Sequence, residues 1–142
     1  MATVSANGQV TLKGVGVCDI MICAAGTDSY NAKAVVVTLK VTPKKAAIKS
    51  VKAGSKKVSV KYKKVAQATG YQIQCSPKKN FKSGKKTVTV KKQSKLTATV
   101  SKLTRGKKYY VRVRAYKSVK VNGKTVKIYG AWSQAKVSKK VK

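Results

Sequence analysis

The chain has 142 residues, enough for one ordinary domain and part of another. Hydrophobic residues make up 42%, which argues for a packed core and against disorder. Against 34 Lys and Arg stand only 2 acids, Asp19 and Asp28, so ion pairs within the chain cannot neutralise it. A net charge of +32 repels itself and attracts polyanions at low salt.

The same composition excludes most catalysis. There is no His and no Glu, so no general base titrates near neutral pH. Asp19 and Asp28 are read as surface carboxylates rather than a glycosidase pair. No zinc or calcium spacing and no glycine-rich phosphate loop occurs. We therefore expect no enzyme, no catalytic residue, no cofactor and no metal. The only arginines are Arg105, Arg112 and Arg114; the remaining cations are lysines, suited to diffuse attraction more than to bidentate recognition. The three cysteines, Cys18, Cys23 and Cys75, do not make a disulfide framework. Cys18 and Cys23 fall on one predicted strand about 16 Å apart, too far for a bridge. All three are expected to be free and buried.

Nothing reads as a helix. Apolar residues alternate with period two and turn signals recur, which argues for an all-β sandwich. In chain order, short strands are predicted over 3–5 and 9–13, joined at Asn7-Gly8. A strand over 17–24 puts Cys18, Ile20 and Ile22 on one face. A loop with Tyr30 and Asn31 leads to a strand over 34–41. A domain boundary is placed near Thr42-Pro43-Lys44-Lys45, giving units 1–43 and 44–142. Four strands in some forty residues make a core too small to stand alone comfortably.

In the second unit, strands are predicted over 47–52, 57–63, 70–76, 87–91, 97–100, 109–117 and 131–137. Inward positions are Val58, Val60 and Tyr62; Tyr71, Ile73 and Cys75; Ala98 and Val100; and Tyr109, Val111, Val113 and Ala115. Asn122-Gly123, flanked by alternating Val and Lys, predicts a two-residue hairpin extending as a ribbon beyond the sandwich.

The run from Ala2 to Pro43 resembles the C-terminal half of the bacterial Ig-like domains of group 2. It carries a Thr-Val-Ser-Ala-Asn-Gly-Gln-Val opening from Thr3, a Lys-Gly-Val-Gly-Val-Cys stretch from Lys13, a loop Tyr and a final Val-rich strand. The first strands of such a domain are absent, and the start has no basic region followed by an apolar one. The expectation is that the chain begins inside a larger protein whose signal peptide lies elsewhere. The incomplete segment is then a candidate for strand pairing with another chain.

In the second unit, Leu103, Gly106 and Tyr109 have the spacing of a tyrosine corner, in which a buried ring returns its hydroxyl to nearby backbone. With Gly70-Tyr71 and Tyr129-Gly130-Ala131-Trp132-Ser133, the segment resembles a fibronectin type III domain. It is of the Lys-rich kind found in surface and secreted proteins of Gram-positive anaerobes. Tyr62 stands where that family usually places a core Trp. The resemblance implies an extracellular or cell-surface module for spacing, adhesion or cell-wall association, without catalysis. No Arg-Gly-Asp sequence is present.

Two surfaces are candidates for binding. Alternation places Tyr110, Arg112, Arg114 and Tyr116 outward, with Trp132 outward on the neighbouring strand. An indole beside two guanidiniums suggests a cation–π stack. Cytokine receptors carry a similar ladder in their type III domains, although Trp132-Ser133 is only half of their motif. The stack either stiffens the sheet or forms a site for a glycan or anionic polymer. The other surface is the lysine shell: Lys56, Lys57, Lys61, Lys63, Lys64, Lys78, Lys79, Lys85, Lys86, Lys91 and Lys92. It is a solvated surface that blocks edge-to-edge pairing, or an attractor of anionic cell-wall polymers or an acidic protein, or a nucleic-acid surface. The last is disfavoured by the scarcity of exposed aromatics.

Overall fold

The structure, a computed structural model, describes residues 2–142. Among them are twelve strands and no helix. The chain divides into two compact units, one ending at Val41 and the other running from Thr42 to Lys142.

The N-terminal unit is two hairpins. β1 (Ala2–Val4) pairs antiparallel with β2 (Val10–Leu12). Their turn closes through Gly8 N–H to Ser5 O at 2.9 Å, with Gly8 at φ 79°, a conformation glycine adopts without strain. β3 (Gly16–Ala24) pairs with β4 (Lys33–Val41) over nine residues in register. Because side chains alternate, Cys18, Ile20 and Ile22 share a face with their partners Leu39, Val37 and Val35. The two hairpins remain separate two-stranded sheets. Cys23 is exposed and Cys18 half-buried; only Cys75 is buried. This corrects the expectation of three buried thiols. The physical reason is that Cys23 sits opposite Ala34 on the other face of the β3–β4 hairpin, near its loop end, where both residues are exposed.

The C-terminal unit is a two-sheet sandwich. One sheet has the order β5 (Ile48–Gly54), β6 (Lys57–Tyr62), β9 (Thr97–Ser101). The other has β11 (Lys124–Tyr129), β10 (Tyr110–Val121), β7 (Gly70–Ser76), β8 (Lys86–Val90), with β12 (Lys136–Val137) also on β10. Val58, Val60 and Tyr62 from one sheet meet Tyr71, Ile73, Cys75, Val111, Val113 and Ala115 from the other. These are the inward positions expected from the alternation. Tyr62 and Tyr71 centre the core with ring centroids 4.6 Å apart. Their hydroxyls are satisfied: Tyr62 donates to Lys95 O at 2.9 Å, and Tyr71 accepts from Val65 N–H at 3.0 Å. A buried phenol without such a partner would cost the desolvation of its hydroxyl. Burial also pushes the Tyr62 phenol well above its ordinary range, with the neighbouring Tyr71 adding to the effect. It pushes the Cys75 thiol up to about 12.

The tyrosine corner is formed. Leu103 is buried, and Thr104 N–H donates to the Tyr109 hydroxyl at 3.0 Å. Gly106 turns the chain at φ 75°, and its N–H reaches Val141 O at 2.8 Å. The hairpin between β10 and β11 has Asn122 and Gly123 both at positive φ, 48° and 76°, as a type I′ turn requires.

The last strand differs from the sequence expectation. Regular structure over 131–137 is confined to β12, while β11 lies earlier, over the second arm of the hairpin. Two serines account for this. Ser133 N–H donates to Val113 O at 2.8 Å, and its Oγ accepts from Val113 N–H at 3.0 Å. Ser138 does the same with Tyr109, at 2.8 and 3.0 Å. Gly130 N–H meets Ala115 O at 2.9 Å, so three residues of this segment span two of β10. The extra residue is a bulge, and the serine hydroxyls substitute for the ladder bonds it removes.

Tyr109→Phe removes the only side-chain acceptor that Thr104 N–H has in the corner. It is expected to lower the unfolding free energy by about 1–2 kcal/mol. Urea denaturation should show a lower midpoint with an unchanged slope.

Candidate binding face

β10 sets the outer face. Its register with β7 places Arg112 opposite Gln74 and Arg114 opposite Gln72. Arg112 donates from Nε and Nη2 to Gln74 Oε1 at 3.0 and 2.7 Å. Arg114 donates in the same way to Gln72 Oε1, at 2.9 and 2.6 Å. An amide oxygen thus takes the fork that a carboxylate commonly takes.

The flat sides of the guanidiniums meet rings. Arg112 Cζ lies 4.2 Å from the Phe81 centroid and 4.4 Å from that of Trp132. Arg114 Cζ lies 4.3 Å from Trp132 and 3.8 Å from Tyr129. The contacts run Phe81, Arg112, Trp132, Arg114, Tyr129, with ring and cation alternating. The bulge around Ser133 positions Trp132 over both arginines. Desolvation lowers the pKa of both guanidiniums; Tyr129 partly offsets this for Arg114, and Arg112 adds to it.

The structure thus brings together Arg112, Arg114 and Trp132. Tyr110, half-buried, pairs with Ser76 and Val137 and makes no ring contact with the stack. Tyr116 corrects the sequence reading: it lies on this face but is buried, at 2% exposure. Its strand partner is Gly70, which has no side chain, so the ring fills that space. A Cβ at Gly70 would sit 2.0 Å from Val90 O and 2.8 Å from the Tyr116 hydroxyl. Tyr116 also packs against Tyr129, centroids 5.9 Å apart, and lies 5.2 Å from Lys127 Nζ.

Sequence reasoning missed Phe81, Gln72 and Gln74, and it read Tyr129 only as part of the family resemblance, not of the stack. The glutamines were findable, since they alternate with the inward Tyr71, Ile73 and Cys75. Phe81 carried no such signal. It sits at φ 54° in the loop between β7 and β8, where its N–H meets Lys78 O at 3.2 Å.

Elsewhere, the Asp19 carboxylate accepts from Thr38 Oγ1 at 2.6 Å across the β3–β4 hairpin. Among the described residues no group of three or more His, Cys, Asp or Glu is placed to hold a metal.

An antiparallel sandwich with a tyrosine corner and a bulged last strand defines the class. The fibronectin type III domain model matches residues 42–130, more than half of the chain, and the chain belongs to that family. Type III domains generally serve as noncatalytic binding or spacer modules. Among solved structures, the chain is similar to the FN1-FN3 domains of chicken CNTN1, at 21% identity and a TM-score of 0.57. That match covers 78% of this chain and 35% of the chicken chain, so this protein spans about a third of that relative. A Fn3-like protein from Clostridium thermocellum is 17% identical, with 70% of this chain and 91% of that one covered and a TM-score of 0.46. A search of curated proteins by sequence found no match.

Trp132→Ala removes the ring shared by both arginines. Two partly exposed cation–π contacts and the lost burial together make the expected destabilisation about 2–4 kcal/mol. Chemical denaturation measures that loss. Binding of the folded variant to anionic polymer, measured in parallel, is expected to be unchanged if the stack serves only to stiffen the sheet.

Proposed function

We propose that this chain is a noncatalytic module of an extracellular bacterial protein, a spacer that also holds its parent against an anionic surface such as the cell wall. One observation carries the reading. Lys13, Lys33, Lys40 and both acids lie in the N-terminal unit, so the other 31 of the 34 basic residues lie in the sandwich, which has no acidic side chain. Such a domain has a positive potential on every side and attracts polyanions over about one screening length, roughly 8 Å at physiological salt. The sequence resemblance to Lys-rich type III modules of Gram-positive surface proteins supports the location.

Nucleic acid is the second reading, favoured by the charge alone. Purified chain should bind teichoic-acid-bearing walls at physiological salt, lose binding as salt rises, and bind poorly to walls stripped of teichoic acid. Tight DNA binding with a sequence or structure preference would overturn the ranking.

The N-terminal unit supports a separate contact. Val10, Leu12, Ile20, Ile22, Val37 and Leu39 line an open apolar cleft of about 300 Å³. Met21, Ile22 and Val36 are each more than half exposed. Both hairpins also leave strand edges unpaired. We propose that this unit pairs with a strand of another chain. Light scattering should then show association that grows with concentration and weakens in Val37→Lys, and a monomer at all concentrations would count against the pairing.

A further inference from the structure

Among the described residues, β8 has a hydrogen-bonded neighbour only in β7, and β9 only in β6. These strands are therefore the edges of opposite sheets, and on this side of the sandwich they face each other. Between them runs an open groove of about 560 Å³. Its floor is aliphatic, from Val88, Val90 and Ala98. Its rim is formed by Lys91, Lys92 and Lys95 and by Thr89, Thr97 and Thr99. All six rim residues are exposed.

Three features separate this groove from the rest of the lysine shell. It is concave, and a low-dielectric cleft lined by one sign of charge focuses its field. The turn that presents the lysines is anchored. Lys95 N–H meets Lys92 O at 3.3 Å, Tyr62 donates to Lys95 O at 2.9 Å, and Gln93 Nε2 donates to Val65 O at 2.8 Å. The third feature is the pair of strand edges, which offer backbone N–H groups alongside the ammoniums.

We propose that this groove is the site at which the sandwich takes a linear phosphodiester polymer without bases, a polyol phosphate. The assignment rests on the polyanion reading above and names where that binding is concentrated. Phosphate oxygens match the three ammoniums, and the polymer's hydroxyls match Thr89 and Thr97, while the Thr99 hydroxyl shares a hydrogen bond with Ser59 at 3.2 Å. The groove lining holds no aromatic side chain, so it offers no platform on which a nucleobase could stack.

The test uses the full chain and fluorescent poly(glycerol phosphate), titrated over a range of salt. Two variants lose the same charge: Lys91→Gln with Lys92→Gln and Lys95→Gln in the groove, and Lys78→Gln with Lys79→Gln and Lys82→Gln in the loop between β7 and β8. The groove variant is expected to lose about tenfold or more in affinity, and its slope of log K against log salt should fall by about 2, one flexible-strand phosphate contact per lysine. The loop variant should lose less than about threefold, the diffuse effect of charge alone. Amide shifts on titrating the unmodified chain should concentrate at Thr89, Thr97 and Thr99, which keeps the test valid if a variant unfolds. Equal losses in the two variants, or shifts spread over the surface, would overturn the site while leaving the polyanion reading standing. No binding by the unmodified chain would overturn that reading itself. Tighter binding of an oligodeoxynucleotide of equal phosphate count, lost in the groove variant, would overturn the ligand class.

Discussion

Alternation along β10 is the constraint on which the sandwich depends. The strand pairs with β7, β11 and β12, so among the described residues it is the one strand that holds three others. Val111, Val113 and Ala115 point into the core, and each is fully buried. Arg112 and Arg114, interleaved with them, build the outer stack. A slip of one residue would put two guanidiniums into the core and three aliphatic side chains into water. The tyrosine corner at the strand's start and the paired serines opposite Tyr109 and Val113 hold that register from the end and from the side.

A second constraint is that the sandwich has no acidic side chain with which to balance its charge. Lysines meet this by standing in solvent, where hydration and counterions suffice. Arg112 and Arg114 are half-buried and cannot rely on water to the same degree. Their forks go to glutamine oxygens and their flat sides to aromatic rings. Both kinds of partner are uncharged, so the stack works without salt bridges and is less sensitive to ionic strength than a surface ion pair. Arginine is needed for this geometry. Lysine has no planar face to place between two rings and no fork to spread over one amide oxygen.

Much of this was legible in the sequence, because the features that define the fold are local. Leu103, Gly106 and Tyr109 lie within one turn, Asn122-Gly123 fixes a hairpin by its own φ angles, and period-two alternation gives the core residues directly. What was not legible depends on contacts across the fold. Tyr116 is buried because its partner on β7 is Gly70, a fact of register rather than of the Tyr116 neighbourhood. Phe81 joins the stack from a loop whose path no pattern encodes. The serines that break up the last strand look like ordinary polar residues until their hydroxyls are seen replacing ladder bonds. Cys23 has a strand-like apolar neighbourhood, yet the hairpin face that carries it is left open.

The two outer surfaces of the sandwich suit different tasks for the same physical reason. In the stack, Arg112 and Arg114 each have two rings and one amide as partners, so a ligand would have to displace contacts already made. Lysines on the groove rim have no such commitments. Their turn is fixed by Tyr62, Gln93 and the Lys92–Lys95 hydrogen bond, while the ammonium groups above it remain free to follow a flexible chain. Rigid backbone beneath mobile charge is a reasonable match for a repeating polymer, where each repeat presents a similar phosphate and no single geometry has to be recognised. On the proposed reading, the committed ladder on one face would serve stiffness, and the uncommitted lysines at the opposed strand edges would serve attraction.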